Sequence, residues 1–281
     1  MQRTLVRTLA AIAPRAAEAL LVDRFCTPAR HNRAIAQRIA EPWFLPSGDD
    51  RLAVYSAGFG PRVLFVHGWE GRAHDFASMA TEFRSEGFSV VAFDLPAHGR
   101  STGRRTTLPQ LAHAVSDVAR ASGPFDVVIG HSLGAVATLL ALRDGLDARC
   151  AVMIAPPRNA PYFLRHMGRV LGLSEHRIAG AKALLERSVG PLELFDTDCI
   201  VRDLAVPGVV LHDRDDRQVP FADGAAVAAA WPGARLVELN GLGHRRVLDS
   251  TKVHRDILQL VWESQLTVDS ARVSALAHAA S

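Results

Sequence analysis

Beyond Arg51 the chain alternates between two hydrophobic patterns. Short runs in which nearly every residue is apolar give way to longer stretches in which apolar residues recur every three or four positions. The short runs LAVYSA (from Leu52), RVLFVHG (Arg62), FSVVAFD (Phe88), DVVIG (Asp126), CAVMIA (Cys150), PGVVLHD (Pro207) and ARLVELN (Ala234) predict strands buried on both faces. The stretches AHDFASMATEFRSEG (from Ala73), LPQLAHAVSDVARAS (Leu108), LGAVATLLALRDG (Leu133), ADGAAVAAAWPG (Ala222) and STKVHRDILQLVWES (Ser250) predict helices between and after them. After the first pair of strands this is an α/β pattern: a mostly parallel sheet with helices on both faces, joined by right-handed crossovers.

One interval breaks the rhythm. Residues 158–204 are far too long for a connection of a few residues and carry two helical patterns, around YFLRHMGRVLGL and IAGAKALLERSVG. They predict a short helical lid inserted into a core formed by residues 51–157 and 205–265. Residues 1–50 predict a helical segment whose end, EPWFLPSGDD, reads as a linker, and residues 266–281 an Ala-rich tail. The first segment covers the sheet or mediates dimerisation, so a monomer and a homodimer both stand.

Composition removes several function classes. A chain of 281 residues, 48% hydrophobic and 22% charged, is neither disordered nor a disulfide scaffold. The net charge of +3 comes from scattered arginines, without the basic runs and interleaved aromatics of a nucleic-acid footprint. Cys26, Cys150 and Cys199 are odd in number and lack CxxC spacing, which predicts buried small side chains in a reducing, cytoplasmic compartment. No run approaches the roughly 18 apolar residues of a spanning helix. The basic first helix leaves a peripheral membrane contact as the minor alternative to a soluble protein. The His/Asp pairs have no metal-ligand spacing, so neither metal nor cofactor is expected.

Chemistry enters at GHSLG, Gly130 to Gly134, which stands between a strand and a helix. There a serine is presented at the carboxyl edge of the sheet, where parallel α/β folds bind ligands. A turn this tight strains the serine backbone, and side chains two residues before or after it collide with their neighbours, which is why both positions are glycine. The competing reading is a plain serine N-cap. Partners decide between them, because a serine hydroxyl needs a base and the base needs an anion. Downstream, GVVLH runs into DRDDRQVP and RLVELN into GLGHRRVL, which put an acid and a histidine on loops at the same edge in the order acid, then histidine.

With FVHGW, FDLPAHGRS, GHSLG, HDRDDRQVP and GLGHRRVL in that order, the chain over Leu52 to Ser264 resembles the α/β-hydrolase superfamily, in its serine esterase and lipase-like branch. The resemblance implies Ser132 as nucleophile, Asp216 as acid and His244 as general base, with Asp215 the next candidate for the acid. It implies the Trp69 and Leu133 backbone N–H groups as oxyanion donors. It makes His67 and His98 loop-ordering groups and gives Asp94 the same role; Ala97 departs from the family loop by standing at its first glycine. A serine at the elbow disfavours the dehalogenase-like and epoxide-hydrolase-like relatives, which carry aspartate there.

His131 is expected to point away from the reaction, and His212 to be a satisfied buried polar group. In the lid, Tyr162, Phe163 and Met167 offer a pocket wall, against the equal alternative that the stripe only packs the lid on the sheet. Arg158, Arg165 and Arg169 face solvent or an anionic group. The function implied is hydrolysis of a small-molecule carboxylic ester of small to medium acyl size through an acyl-enzyme, with thioesters, lactones and C–C bonds as variants. The contrasting class is a non-catalytic ligand-binding protein of the same fold, which usually lacks one of these groups.

Overall fold

The computed structural model describes residues 2–30 and 37–263. The Ala-rich tail lies outside the described residues. Two helices, α1 (Gln2–Ile12) and α2 (Pro14–Cys26), precede eight strands: β1 (Trp43–Ser47), β2 (Asp50–Ala57), β3 (Arg62–Val66), β4 (Ser89–Phe93), β5 (Phe125–His131), β6 (Ala148–Ile154), β7 (Gly208–Asp213) and β8 (Arg235–Leu239). Between them lie α3 (Ala77–Ser85), α4 (Leu108–Ser122), α5 (Leu133–Arg143), α6 (Ala160–Val170), α7 (Glu175–Val189), α8 (Thr197–Ile200) and α9 (Phe221–Ala230), followed by the short α10 (Gly243–Arg246) and a helix over 251–263.

The strands form one sheet in the order β1-β2-β4-β3-β5-β6-β7-β8. From β4 to β8 all neighbours are parallel, and β1 and β2 add an antiparallel edge. Each central strand buries both faces, as its unbroken apolar run requires. In β3, Leu64 and Val66 join one apolar cluster with α4, α5 and the insertion, while Val63 and Phe65 join the other with α3 and the helix over 251–263. The periodicity of α4 has the same origin: Leu111, Val115 and Val118 form its buried stripe, and Thr107 and Gln110 cap its first turn.

Two expectations need correction. The stretch expected as a linker is strand β1, paired with β2 from Trp43↔Val54 to Ser47↔Asp50. Pro46 is compatible with that because β1 is an edge strand, where a residue without an N–H costs no ladder bond on the open side. Of the cysteines, all free, Cys26 and Cys150 are buried as expected, but Cys199 is exposed because the short α8 turns it outward.

The insertion between β6 and β7 is helical, with α6 capped by Asn159 Oδ1 and α7 by Ser174 Oγ. The two helices touch closely at Gly168, where a Cβ would stand 2.5 Å from Ile178. α2 packs on both of them. Its Glu18 carboxylate meets the Arg177 guanidinium of α7 at 2.8 Å in a largely buried pair. No helix among the described residues is long and apolar enough to cross a membrane.

Candidate active site

The GHSLG turn connects β5 directly to α5. Ser132 has φ +53° and ψ −125°, a strained conformation for a residue with a Cβ. The glycines on either side are required by contact. A Cβ on Gly130 would lie 2.6 Å from Ala135 Cα, and one on Gly134 would collide with the carbonyl oxygens of Val66 and His67. The N-cap alternative does not hold, since the Ser132 side chain makes no capping bond to α5. Its N–H donates instead to Ile154 O at 2.9 Å, fixing the elbow to the end of β6.

That tie is the first of a series across the carboxyl edge. Ala155 N–H donates to Leu211 O at 2.8 Å, joining β6 to β7, and Arg214 N–H donates to Leu239 O at 2.8 Å, joining β7 to β8. The loops carrying the serine, the acid and the histidine are thereby held by main-chain bonds that continue the sheet.

On the loop after β7, Asp216 is the carboxylate that meets His244: Oδ2 accepts from His244 Nδ1 at 2.6 Å. Its Oδ1 accepts the N–H groups of Gln218 and Val219 at 2.8 and 2.9 Å. Asp215, the other candidate, turns to the β8 loop and accepts from Gly241 N–H at 3.0 Å. Asp213 accepts from Asp215 N–H and Leu242 N–H, both at 2.8 Å. The second and third aspartates therefore shape the two loops, and Asp216 alone faces the imidazole. Burial would push the Asp216 carboxyl up, but the bonds from His212, His244 and Val219 outweigh it and hold the group far below the usual carboxylate range.

His212 is more than a satisfied buried group. Its Nε2 donates to Val219 O at 3.1 Å and lies 3.5 Å from Asp216 Oδ2, while its Nδ1 is buried without a hydrogen-bond partner. His131 does not point away either: its Nε2–H donates to the His244 carbonyl at 2.9 Å, and the two rings lie 4.7 Å apart. Burial, reinforced by the neighbouring His244, pulls His131 down to about 3, so it is neutral near pH 7. Nothing in the local sequence signals this contact, which joins residues 113 positions apart.

The HGW loop lies beside the elbow. A Cβ on Gly68 would stand 2.9 Å from Ser132 Cβ, so the strand end passes against the serine itself. Trp69 follows, and Leu133 begins α5, where the first helical N–H groups have no partner within the helix. His67 accepts from Leu95 N–H at 2.9 Å and donates through Nδ1 to Gly68 O at 2.7 Å, tying this loop to the one after β4. Burial lowers its pKa. His98 donates to Pro96 O at 2.9 Å and stands edge-on to His67 and Trp69. Asp94 accepts from Tyr55 Oη and from the N–H groups of Ala73 and Arg100, the loop-ordering role expected of it. Ala97 takes the glycine-like φ of +67° despite its methyl group. Arg30 binds the carbonyls of Ala97, Gly99, Ser101 and Gly103, a clamp from the N-terminal segment that no motif announces.

A cavity of about 580 Å³ opens at this edge, with Ser132, Leu133, Gly68, Trp69, His131 and His244 on its wall. It runs across the sheet edge. Leu111, Val136, Leu185, Leu192 and Phe195 on one side belong to the apolar cluster of one face, and Ala77 and Leu248 on the other to that of the opposite face. The first side is an apolar arm beneath the insertion; His74, Asp75, Ser78 and Arg245 make the second polar. Phe163 and Met167 line the apolar arm, four positions apart on one face of α6. Tyr162 does not. It projects from the adjacent face, half exposed, edge-on to Phe163 at 5.3 Å. The exposed Arg158 is paired with the buried Asp198, and Arg165 and Arg169 with Glu175 on the surface.

Residues 63–255 match the Alpha/beta hydrolase family. The chain belongs to that family. Among curated proteins this hydrolase is similar to a pimeloyl-[acyl-carrier protein] methyl ester esterase of Xylella fastidiosa, 32% identical over 66% of this chain and 89% of the relative. It is also similar to a non-heme chloroperoxidase of Streptomyces lividans, 28% identical over 69% and 90%. An esterase from Exiguobacterium antarcticum shares the fold, with a TM-score of 0.63 and 16% identity over 78% of this chain and 99% of that one. The chain is thus an enzyme of the α/β-hydrolase type.

Proposed function

We propose that this hydrolase cleaves a carboxylic ester of small to medium acyl size, with Ser132 as nucleophile, His244 as general base and Asp216 as its orienting anion. The observation that carries this reading is the 2.6 Å bond between His244 Nδ1 and Asp216 Oδ2 on the wall of the cavity that also holds the uncapped elbow serine. With Nδ1 engaged by the carboxylate, Nε2 is the nitrogen that takes a proton.

The chemistry follows in two halves. His244 removes the Ser132 proton as Oγ attacks the ester carbonyl, and the developing oxyanion is held by the N–H groups of Trp69 and Leu133. Collapse expels the alcohol, which receives that proton from His244. Water then attacks the acyl-enzyme with His244 again as base, and the free acid leaves. No step calls for a cofactor.

The apolar arm suits an acyl chain and the polar side an alcohol or its hydrated mouth. The methyl ester esterases among the relatives support a small leaving alcohol. Free cysteines support a cytoplasmic setting.

The test is hydrolysis of p-nitrophenyl esters from acetate to palmitate, with Ser132→Ala as control and a fluorophosphonate as label. Turnover and labelling that both vanish in Ser132→Ala support the reading. An unreactive serine in a folded protein that still binds acyl ligands would make it a binding protein instead.

A further inference from the structure

The last turn of α2 reaches the cavity. Phe25 and Cys26 lie on its wall together with Thr106, Leu108 and the Phe163–Met167 face of α6. Cys26 is buried, and its carbonyl accepts from Thr106 N–H at 2.9 Å, which fixes the end of α2 against the start of α4. On the other side α2 is pressed into the insertion. A Cβ on Gly168 would be 3.1 Å from Leu21 Cδ2, one on Gly180 would be 2.5 Å from the Glu18 carboxylate, and that carboxylate holds Arg177. The match to the family begins at residue 63, so this part of the wall is contributed by chain that precedes the matched region.

We infer that α2 is the specificity element of the apolar arm, with Phe25 and Cys26 setting the length of the unbranched fatty acyl chain it accepts. The inference rests on the reading of Ser132 above for its link to turnover. The wall that the insertion gives the arm is apolar apart from His166, and Phe25 and Cys26 meet it beside Thr106, Thr107 and Leu108, so the ligand class that fits is a medium-chain fatty acyl group. Each methylene that such an arm accommodates is worth about fourfold in binding. A change of volume at Phe25 or Cys26 therefore moves discrimination between chain lengths, whereas a residue that merely packs α2 on the core lowers stability without altering it.

The experiment compares wild type, Phe25→Ala and Cys26→Phe, each checked for a cooperative melt, by the ratio of kcat/KM for p-nitrophenyl laurate to that for the acetate. We expect the ratio to rise at least about tenfold in Phe25→Ala and to fall at least about tenfold in Cys26→Phe. A ratio unchanged in both folded variants overturns the inference. Displacement of a fluorescent fatty acid by octanoate, laurate and palmitate, measured in a Ser132→Ala background, reads the arm without chemistry. The same shift in chain-length order is expected there. That shift in a protein whose Ser132 is not labelled by a fluorophosphonate leaves the inference standing and sinks the catalytic reading; serine-dependent turnover with an unmoved profile does the reverse.

Discussion

His131 donates from Nε2 to the main-chain carbonyl of His244 at 2.9 Å, so the residue beside Ser132 holds the backbone of His244 on the same cavity wall. Replacing it by alanine leaves that carbonyl without its donor and lets the His244 loop drift relative to the elbow. We expect His131→Ala to lower kcat on the best p-nitrophenyl ester about tenfold with KM little changed, because displacements well under an ångström already cost rate. His131→Gln, which restores a donor, should recover part of the loss. Equal kcat for wild type and the alanine variant would remove His131 from the positioning of the base.

The two neighbouring aspartates should separate cleanly. Asp216→Asn keeps the shape but presents the wrong partner to His244 Nδ1, and kcat should drop by about three to four orders of magnitude. Asp215→Asn touches only a loop bond to Gly241 and should cost about 1 kcal/mol of stability while activity stays within a few-fold. Similar losses in both variants, measured on one ester alongside thermal melts, would contradict the assignment of the acid.

The elbow glycines can be tested through stability alone. Gly134→Ala drives a methyl group into the carbonyls of Val66, the last residue of β3, and of His67 just after it, main-chain groups that cannot yield as a flexible side chain would. A loss of about 3 kcal/mol is expected, at the upper end for overpacking, seen as a lower denaturant midpoint with unchanged slope. A variant as stable as wild type would mean that the strand–helix contact is looser than described.

Acid stability carries the mark of the buried histidines. His131 and His98 are both pulled down by burial to about 3 from an ordinary 6.5. Between those values the unfolded chain binds protons that the folded one refuses, so each histidine's contribution is complete above about pH 6.5 and is lost as pH falls toward 3. The slope is about 1.4 kcal/mol per pH unit per histidine within that window. His98→Gln should flatten the fall of melting temperature between pH 6 and 4; an unaltered slope would show that His98 takes up its proton in the folded state.

Much of this was legible in the sequence because the relevant constraints are local. Strands buried on both faces need unbroken apolar runs, and a strand-to-helix elbow needs glycine at Gly130 and Gly134 whatever surrounds it. Where pairing is long-range the sequence is silent. Trp43–Ser47, with Pro46 inside it and Pro42 before it, has the look of a linker and becomes a strand only because β2 is there to pair with it. Tyr162 and Phe163 are adjacent in an aromatic stripe, and only the docking of α6 decides which one meets the cavity. Asp215 and Asp216 are likewise separated by the path of a single loop.

The main-chain bonds that carry the sheet past its last ladder, Ser132 to Ile154, Ala155 to Leu211 and Arg214 to Leu239, have an architectural consequence. Spacing between the elbow and the loops after β7 and β8 is set first by the backbone, and the side chains of His131, Asp213 and Asp215 complete it. On the proposed reading, the loops at the sheet edge and the helices packed over them are then separate modules: α2, α6 and α7 can change for another ligand while the arrangement of Ser132, Asp216 and His244 is kept.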